Sequence, residues 1–257
     1  MTTEVVSELT RNHIHKLAAG GKRVDGRGPD EYRPLTIEKG FVKSAEGSAR
    51  IHLGKTQVLV GIKMDLGEPY ADSPNKGVLI TSAELIPMAS PDFEAGPPRE
   101  KAIELARVVD RGIRETKTVD VEKLCVEPGE KVWVLFLDMH ILDYDGNLFD
   151  ACSYGVLGGL TDTIVPASRL EAEDYPLEIR HQPVSVTAVK IGNAIFLDPC
   201  LEEEQVADAR LTVATDENGD VRAMQKGLNG SFTFDEIKEI VDRATKAGGE
   251  LRKQIVG

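Results

Sequence analysis

Between residues 33 and 66 apolar and polar side chains alternate, as in SARIHLG and TQVLVGIKMDLG, which is the period of a half-buried strand. KGVLITSAEL extends the pattern, so a meander of three or four strands is predicted. From Arg99 the period lengthens to that of a helix: Ala102, Leu105, Ala106, Val109 and Ile113 share one side, with Pro97-Pro98 suited to the start. KVWVLFLDMHILDY reads as a long strand, and residues 149–163 as a helix whose Gly155, Gly158 and Gly159 permit close packing. Residues 168–183, charged and interrupted by Pro176 and Pro183, read as a connector. Beyond them VSVTAVKIGNAIFLDP turns at Gly192-Asn193, ARLTVATDENGDVRAMQKG turns at Asn218-Gly219, and residues 235–253 form an amphipathic helix through Ile237, Ile240, Val241 and Ala244. Helical spacing also runs over residues 4–19, through Val5, Leu9, Ile14 and Leu17, and stops at Gly20-Gly21.

Strands followed by helices thus occur twice, which predicts an α+β protein of two related subdomains. The expected divisions are an N-terminal helical arm preceding the first domain (1–22), a first subdomain (23–167), a connector (168–183) and a second subdomain (184–257).

Charge narrows the function. With 43 acidic and 31 basic side chains the formal charge is -12, which argues against a free-standing, non-specific nucleic-acid binder, since that affinity needs net basic surface. Any polyanion site must therefore be local. Cys125, Cys152 and Cys200 form no C-x-x-C and read as buried small residues in a reducing compartment. The sequence shows no basic-then-apolar leader and no apolar run of membrane-spanning length, so a cytoplasmic protein without membrane attachment is expected.

Several motifs fail on inspection. Gly54-Lys55-Thr56 lacks the first P-loop glycine, Ala49 standing there, and the intervening RIHL is strand-like. DYDGN misplaces the calcium-loop glycine and has Tyr154 where a bidentate glutamate belongs. His13 and His15 point to different sides of a helix and the other histidines are scattered, so no metal site is expected. Ser153 lies outside G-x-S-x-G. The acidic run Glu202-Glu203-Glu204, near Asp198 and Asp208, could hold magnesium but reads by default as a solvated loop.

One local cationic feature remains. Arg107, Arg111 and Arg114 follow helical spacing opposite the apolar side, and Arg99 precedes them. This is either a surface ridge partly neutralised by Glu104, Asp110 and Glu115, or a site for phosphate groups.

R-x-D-G-R at residues 23–27, YRPLTIEKGF leading into GSARIHLGKTQVLV, the Pro-rich start of the arginine helix with ELARVVDR, and LDPxxxEE from Leu197 together resemble the RNase PH family over nearly the whole chain. The resemblance is greatest to the catalytically inactive RNase PH-like subunits of the archaeal exosome. It implies two RNase PH subdomains of ribosomal protein S5 domain 2-like type. It also implies partners: three copies alternating with three of a catalytic RNase PH-like subunit (a trimer of heterodimers), RNA-binding cap subunits above the ring, and single-stranded RNA passing to sites where inorganic phosphate attacks the 3′-terminal phosphodiester.

Active members of that family carry a G-[ST]-R triplet that holds the attacking phosphate, and a pair of aspartates for acid catalysis and magnesium binding. The corresponding triplet here is Gly146-Asn147-Leu148, and the aspartate positions fall on Glu204 and Arg210. No catalytic residue, metal or cofactor is therefore expected in this chain, and phosphate and magnesium are expected at the partner. The resemblance carries RNA contact onto Arg107 and Arg111, extended to Arg99 and Arg114, where a guanidinium forks onto phosphate oxygens irrespective of base. The implied function is a non-catalytic subunit that scaffolds the partner and helps bind RNA. The alternatives are an active phosphorolytic exoribonuclease, opposed by the altered triplet and Arg210, and an S5-like binding module unrelated to RNA decay, disfavoured by the arginine face.

Overall fold

Strict alternation in the first half produces a sheet with one buried face. The computed structural model describes residues 7–257, and in it β1 (Leu35–Lys39), β2 (Gly47–Leu53) and β3 (Thr56–Gly67) form the predicted meander, while β4 (Val78–Leu85) joins the same sheet without pairing with β3. Thr56, Val58, Val60, Ile62 and Met64 of β3 point inward and the residues between them outward. After α2 (Glu100–Thr116) and the short β5 (Cys125–Glu127), β6 (Lys131–Asp143) inserts between β3 and β4. Its pairing is antiparallel to β3 and parallel to β4, with α2 in the crossover.

The helix α3 (Leu148–Asp162) follows, then β7 (Ile164–Val165), a 3₁₀ turn at Ala167–Leu170 and β8 (Tyr175–Pro176). The expected connector is thus tied down, β7 pairing with β8 and Ile179 bridging to Val119. A second antiparallel sheet has the order β10-β9-β11-β12, built from β9 (Val184–Ile191), β10 (Ala194–Leu197), β11 (Ala209–Thr215) and β12 (Val221–Gly227). Between β10 and β11 lies α4 (Leu201–Val206), and α5 (Phe234–Val256) packs across β9 and β11. Its Thr233 and Glu236 form a reciprocal cap at the start.

α3 is buried on all sides because it lies between the two sheets, on β2 and β3 at one face and β9 at the other. Glycine allows this approach: a Cβ on Gly155 would fall 2.6 Å from Val60 Cγ2, and one on Gly159 3.0 Å from Ile62 Cγ1. Asp150, fully buried, crosses the seam. Its carboxylate accepts from Tyr32 Oη at 2.9 Å, Asn147 Nδ2 at 2.8 Å, Thr187 N at 3.0 Å and Thr187 Oγ1 at 2.7 Å.

The N-terminal arm precedes the first unit along the chain, but its described part, α1 (Glu8–Ala19), packs on the second: Ile14 and Ala18 lie against Val189, Ile191, Phe196 and Val206. Glu4 and Val5 lie outside the described residues. The Glu202–Glu204 run is not a solvated loop but helix α4, with Glu203 and Glu204 turned inward to bonding partners. Cys125 is only half-buried, unlike Cys152 and Cys200.

Gly155→Ala should destabilise the fold by about 1–3 kcal/mol, because Val60 is β-branched and cannot turn away. Gly249→Ala in α5, where a Cβ meets nothing within 4 Å, should instead stabilise by about 0.4–1 kcal/mol. Denaturant midpoints read both, and equal effects at the two positions would refute the close seating of α3.

Burial pushes the Asp150 carboxyl up to about 7 despite hydrogen bonds from Asn147 and Thr187. The folded protein then holds this proton more tightly than the unfolded chain, so the contribution of Asp150 is full below its ordinary value of 3.8 and fades as pH rises to about 7. Asp150→Asn keeps an acceptor for Tyr32 and offers an amide to Thr187 Oγ1. Its stability relative to the wild type should therefore climb with pH across that window, by at most about 1.4 kcal/mol per unit. Urea unfolding at several pH values measures this, and a constant difference would mean that Asp150 is ionised throughout.

Candidate nucleic-acid interface

The Gly146-Asn147-Leu148 triplet forms the turn from β6 into α3. Gly146 has φ +89°, and a Cβ there would fall 2.6 Å from the backbone of Cys200, so no larger residue fits. Asn147 is also left-handed, at φ 56°, a conformation asparagine accepts better than most residues. Its position brings the start of α3 against α4.

There the backbone N–H of Asn147 donates to Glu204 Oε1 at 2.9 Å, and Glu204 Oε2 accepts from Tyr144 Oη at 2.8 Å. An internal carboxylate thus sits where the helix start presents an amide to an anion. Burial raises the Glu204 carboxyl; the hydrogen bonds from Asn147 and Tyr144 and the charges of Arg210 and Arg33 offset this only in part. The Asn147 side chain faces away from solvent, its Nδ2 donating to Asp150 Oδ2 and Asp198 Oδ1, each at 2.8 Å. Leu148 offers no polar atom.

Arg210, on β11, stands at the second position where the resemblance led us to look for an aspartate. Its Nη2 lies 2.5 Å from Glu104 Oε1 of α2, and its guanidinium stands 4.1 Å from the centroid of the Phe149 ring. Arg210 and Glu204 are near enough to interact through charge but form no ion pair among the described residues.

Behind the turn lies a set of buried ion pairs whose roles the sequence did not disclose. Arg33 grips Asp198 with Nε at 3.0 Å and Nη2 at 2.7 Å, and adds its backbone N–H at 2.8 Å. Arg27 Nη1 reaches the same carboxylate at 2.8 Å. Burial pushes the Asp198 carboxyl up, but the bonds and charge of Arg33 with the bond from Asn147 hold it below the usual range. Arg23 holds Glu203 through Nε at 2.9 Å and Nη2 at 2.6 Å. The motifs R-x-D-G-R and LDPxxxEE, seen in the sequence only as marks of resemblance, are thus the two sides of one clasp.

The arginine helix separates its four members. α2 buries Ala102, Leu105, Val109, Gly112, Ile113 and Thr116 and exposes Arg107, Arg111 and Arg114. Arg99 precedes the helix and pairs with Glu94 at 2.6 Å. Arg114 is occupied, with Nε and Nη2 each 2.9 Å from Asp110 and Nη2 3.1 Å from the Leu79 carbonyl. Arg111 touches Gln225 Oε1 at 3.4 Å, and Arg107 makes no ion pair or hydrogen bond among the described residues. The neutralisation expected from Glu104, Asp110 and Glu115 therefore spares Arg107 and Arg111.

His181 lies with Asp216 and Glu217. Its Nδ1 lies 2.7 Å from Glu217 Oε1, while Asp216 is taken up by Arg222 and by the amides of Asn218 and Asp220. Those bonds close a hairpin turn, using the lone pairs a metal would need.

Two family models match, described as domain 1 of the 3′ exoribonuclease family over residues 31–166 and domain 2 over residues 181–247. The exosome complex component Rrp42 of Thermoplasma volcanium is 50% identical over 253 residues, covering 98% of this chain and 97% of that protein. That of Methanocella arvoryzae is 49% identical over 258 residues, covering 100% and 99%. Among solved structures, a chain of the Archaeoglobus fulgidus exosome with RNA bound to the active site superposes with a TM-score of 0.93 at 47% identity, covering 96% of this chain and 98% of that one. Two RNase PH domains, the clasp between them and this likeness across nearly every residue place the chain in the RNase PH, or 3′ exoribonuclease, family.

Proposed function

We propose that this chain is a non-catalytic subunit of an archaeal-type exosome, scaffolding a catalytic RNase PH-like partner in a six-membered ring and holding single-stranded RNA beside the partner's active site. One observation carries the reading: the Asn147 amide, at the triplet that would face the attacking phosphate, is already given to Glu204. Phosphate would meet a carboxylate there, and Leu148 supplies no guanidinium to orient or stabilise it. Nor do the residues suit magnesium, because both Glu204 oxygens accept hydrogen bonds and the second aspartate position holds Arg210 on Glu104. Phosphate and magnesium belong in this reading to the partner.

RNA contact is assigned to Arg107 and Arg111, which no carboxylate neutralises among the described residues. Arg99 and Arg114 lie on the approach but enter already paired. Because guanidinium recognises phosphate and not base edges, binding on this face is independent of sequence. The relatives named as exosome components support the assembly, as does the structural likeness to a chain from an RNA-bound exosome.

The isolated chain, given single-stranded RNA, inorganic phosphate and magnesium, should release no nucleoside diphosphate, and addition of the catalytic partner should confer release. Robust turnover without the partner would overturn the reading.

In the assembled ring, Arg107→Ala with Arg111→Ala should lower the slope of log affinity against log salt by roughly 1.4, two phosphate contacts being lost. Decay should slow while the ring's mass stays the same. An unchanged slope in an intact ring would return both arginines to a surface role.

A further inference from the structure

Residues three and four apart on a helix are neighbours, and of the four such places around Arg107 two hold carboxylates, Glu104 and Asp110, the others being Ile103 and Arg111. Left to themselves, either carboxylate would neutralise Arg107 and repel an RNA phosphate approaching it. Neither does so. Glu104 Oε1 is held by Arg210 Nη2 at 2.5 Å, across the gap to β11. Both oxygens of Asp110 are held by Arg114 at 2.9 Å, and Thr81 Oγ1 donates to one of them at 3.0 Å.

We propose that Arg210 and Arg114 are positioning residues that keep Arg107 available to RNA phosphate by drawing away the two carboxylates beside it. This rests on the reading that Arg107 meets RNA. Arg210 is held in place from two sides. Phe149 supports one face of the guanidinium, and the strand partner across the ladder is Gly227, where a Cβ would fall 2.5 Å from Nη2. Arg114 is fixed in turn by the Leu79 carbonyl. The arginine standing where active relatives need a carboxylate therefore has a use of its own. It exchanges a metal-binding position for control of charge on the adjacent helix.

The test uses the assembled ring with the partner's catalysis disabled and a fluorescein-labelled oligoadenylate as probe, and compares the cost of Arg107→Ala in several backgrounds. With Arg210 intact, Arg107→Ala should reduce the salt slope by roughly 0.7, about fivefold in affinity for each decade of salt. In an Arg210→Gln background Glu104 is released onto Arg107, so the same substitution should cost less than half as much. Adding Glu104→Gln should restore the full cost, and Arg210→Lys, which keeps the charge, should preserve it. Arg114→Gln, on the solvent side of α2, should reproduce the effect through Asp110 and provides the answer where Arg210→Gln fails to assemble. A cost of Arg107→Ala that persists undiminished in both backgrounds overturns this inference while leaving RNA contact standing. No cost in the otherwise wild-type ring overturns the RNA reading and this inference with it.

Discussion

Four charged side chains removed from water, Arg23 with Glu203 and Arg33 with Asp198, set the constraint on which the site depends. Burying such groups is costly unless each lone pair and proton is matched, and here the matching is close to complete. Arg23 gives its remaining donors to the carbonyls of Leu197 and Asp198, and Asp198 takes donors from Arg27, Arg33 and Asn147. Because one side of the clasp comes from residues 23–33 and the other from residues 198–203, it fixes the second sheet's loop against the first unit. α4 inherits its direction from Glu203, and the adjacent Glu204 is thereby aimed at the start of α3. The contact of Glu204 with the Asn147 amide is thus a by-product of how the halves are fastened.

Pairing also governs charge on the surface. A chain of net charge -12 presents a cationic spot by arranging pairs, without an excess of basic residues. Each exposed pair is worth little to stability. Its value lies in where it leaves the negative end: on α2, Glu104 and Asp110, each three residues from Arg107, are held by Arg210 and Arg114.

The sequence disclosed several of the longer elements because their periods run for several repeats: β3 by alternation, α2 and α5 by helical spacing. It missed β5, β7 and β8, which are two or three residues long, too short for any period to appear. It misread α4 because three consecutive glutamates look solvated until their partners, up to 180 residues away in the case of Arg23, are known. The altered triplet and the Glu204 and Arg210 positions were legible only through family resemblance. That Glu204 caps the Asn147 amide, and that Arg210 holds Glu104, are long-range facts that local pattern does not encode.

The seat of α1 has a bearing on how the molecule is made. Ile14 and Ala18 leave the ribosome well before Val189, Ile191, Phe196 and Val206, the residues they cover. At about 5–20 residues per second the wait is roughly ten to forty seconds. A twelve-residue helix is marginal in water by itself, so through most of synthesis this segment has nothing to fold onto. The second sheet thus completes a helix made long before it, and α1 takes its seat only once that sheet has formed.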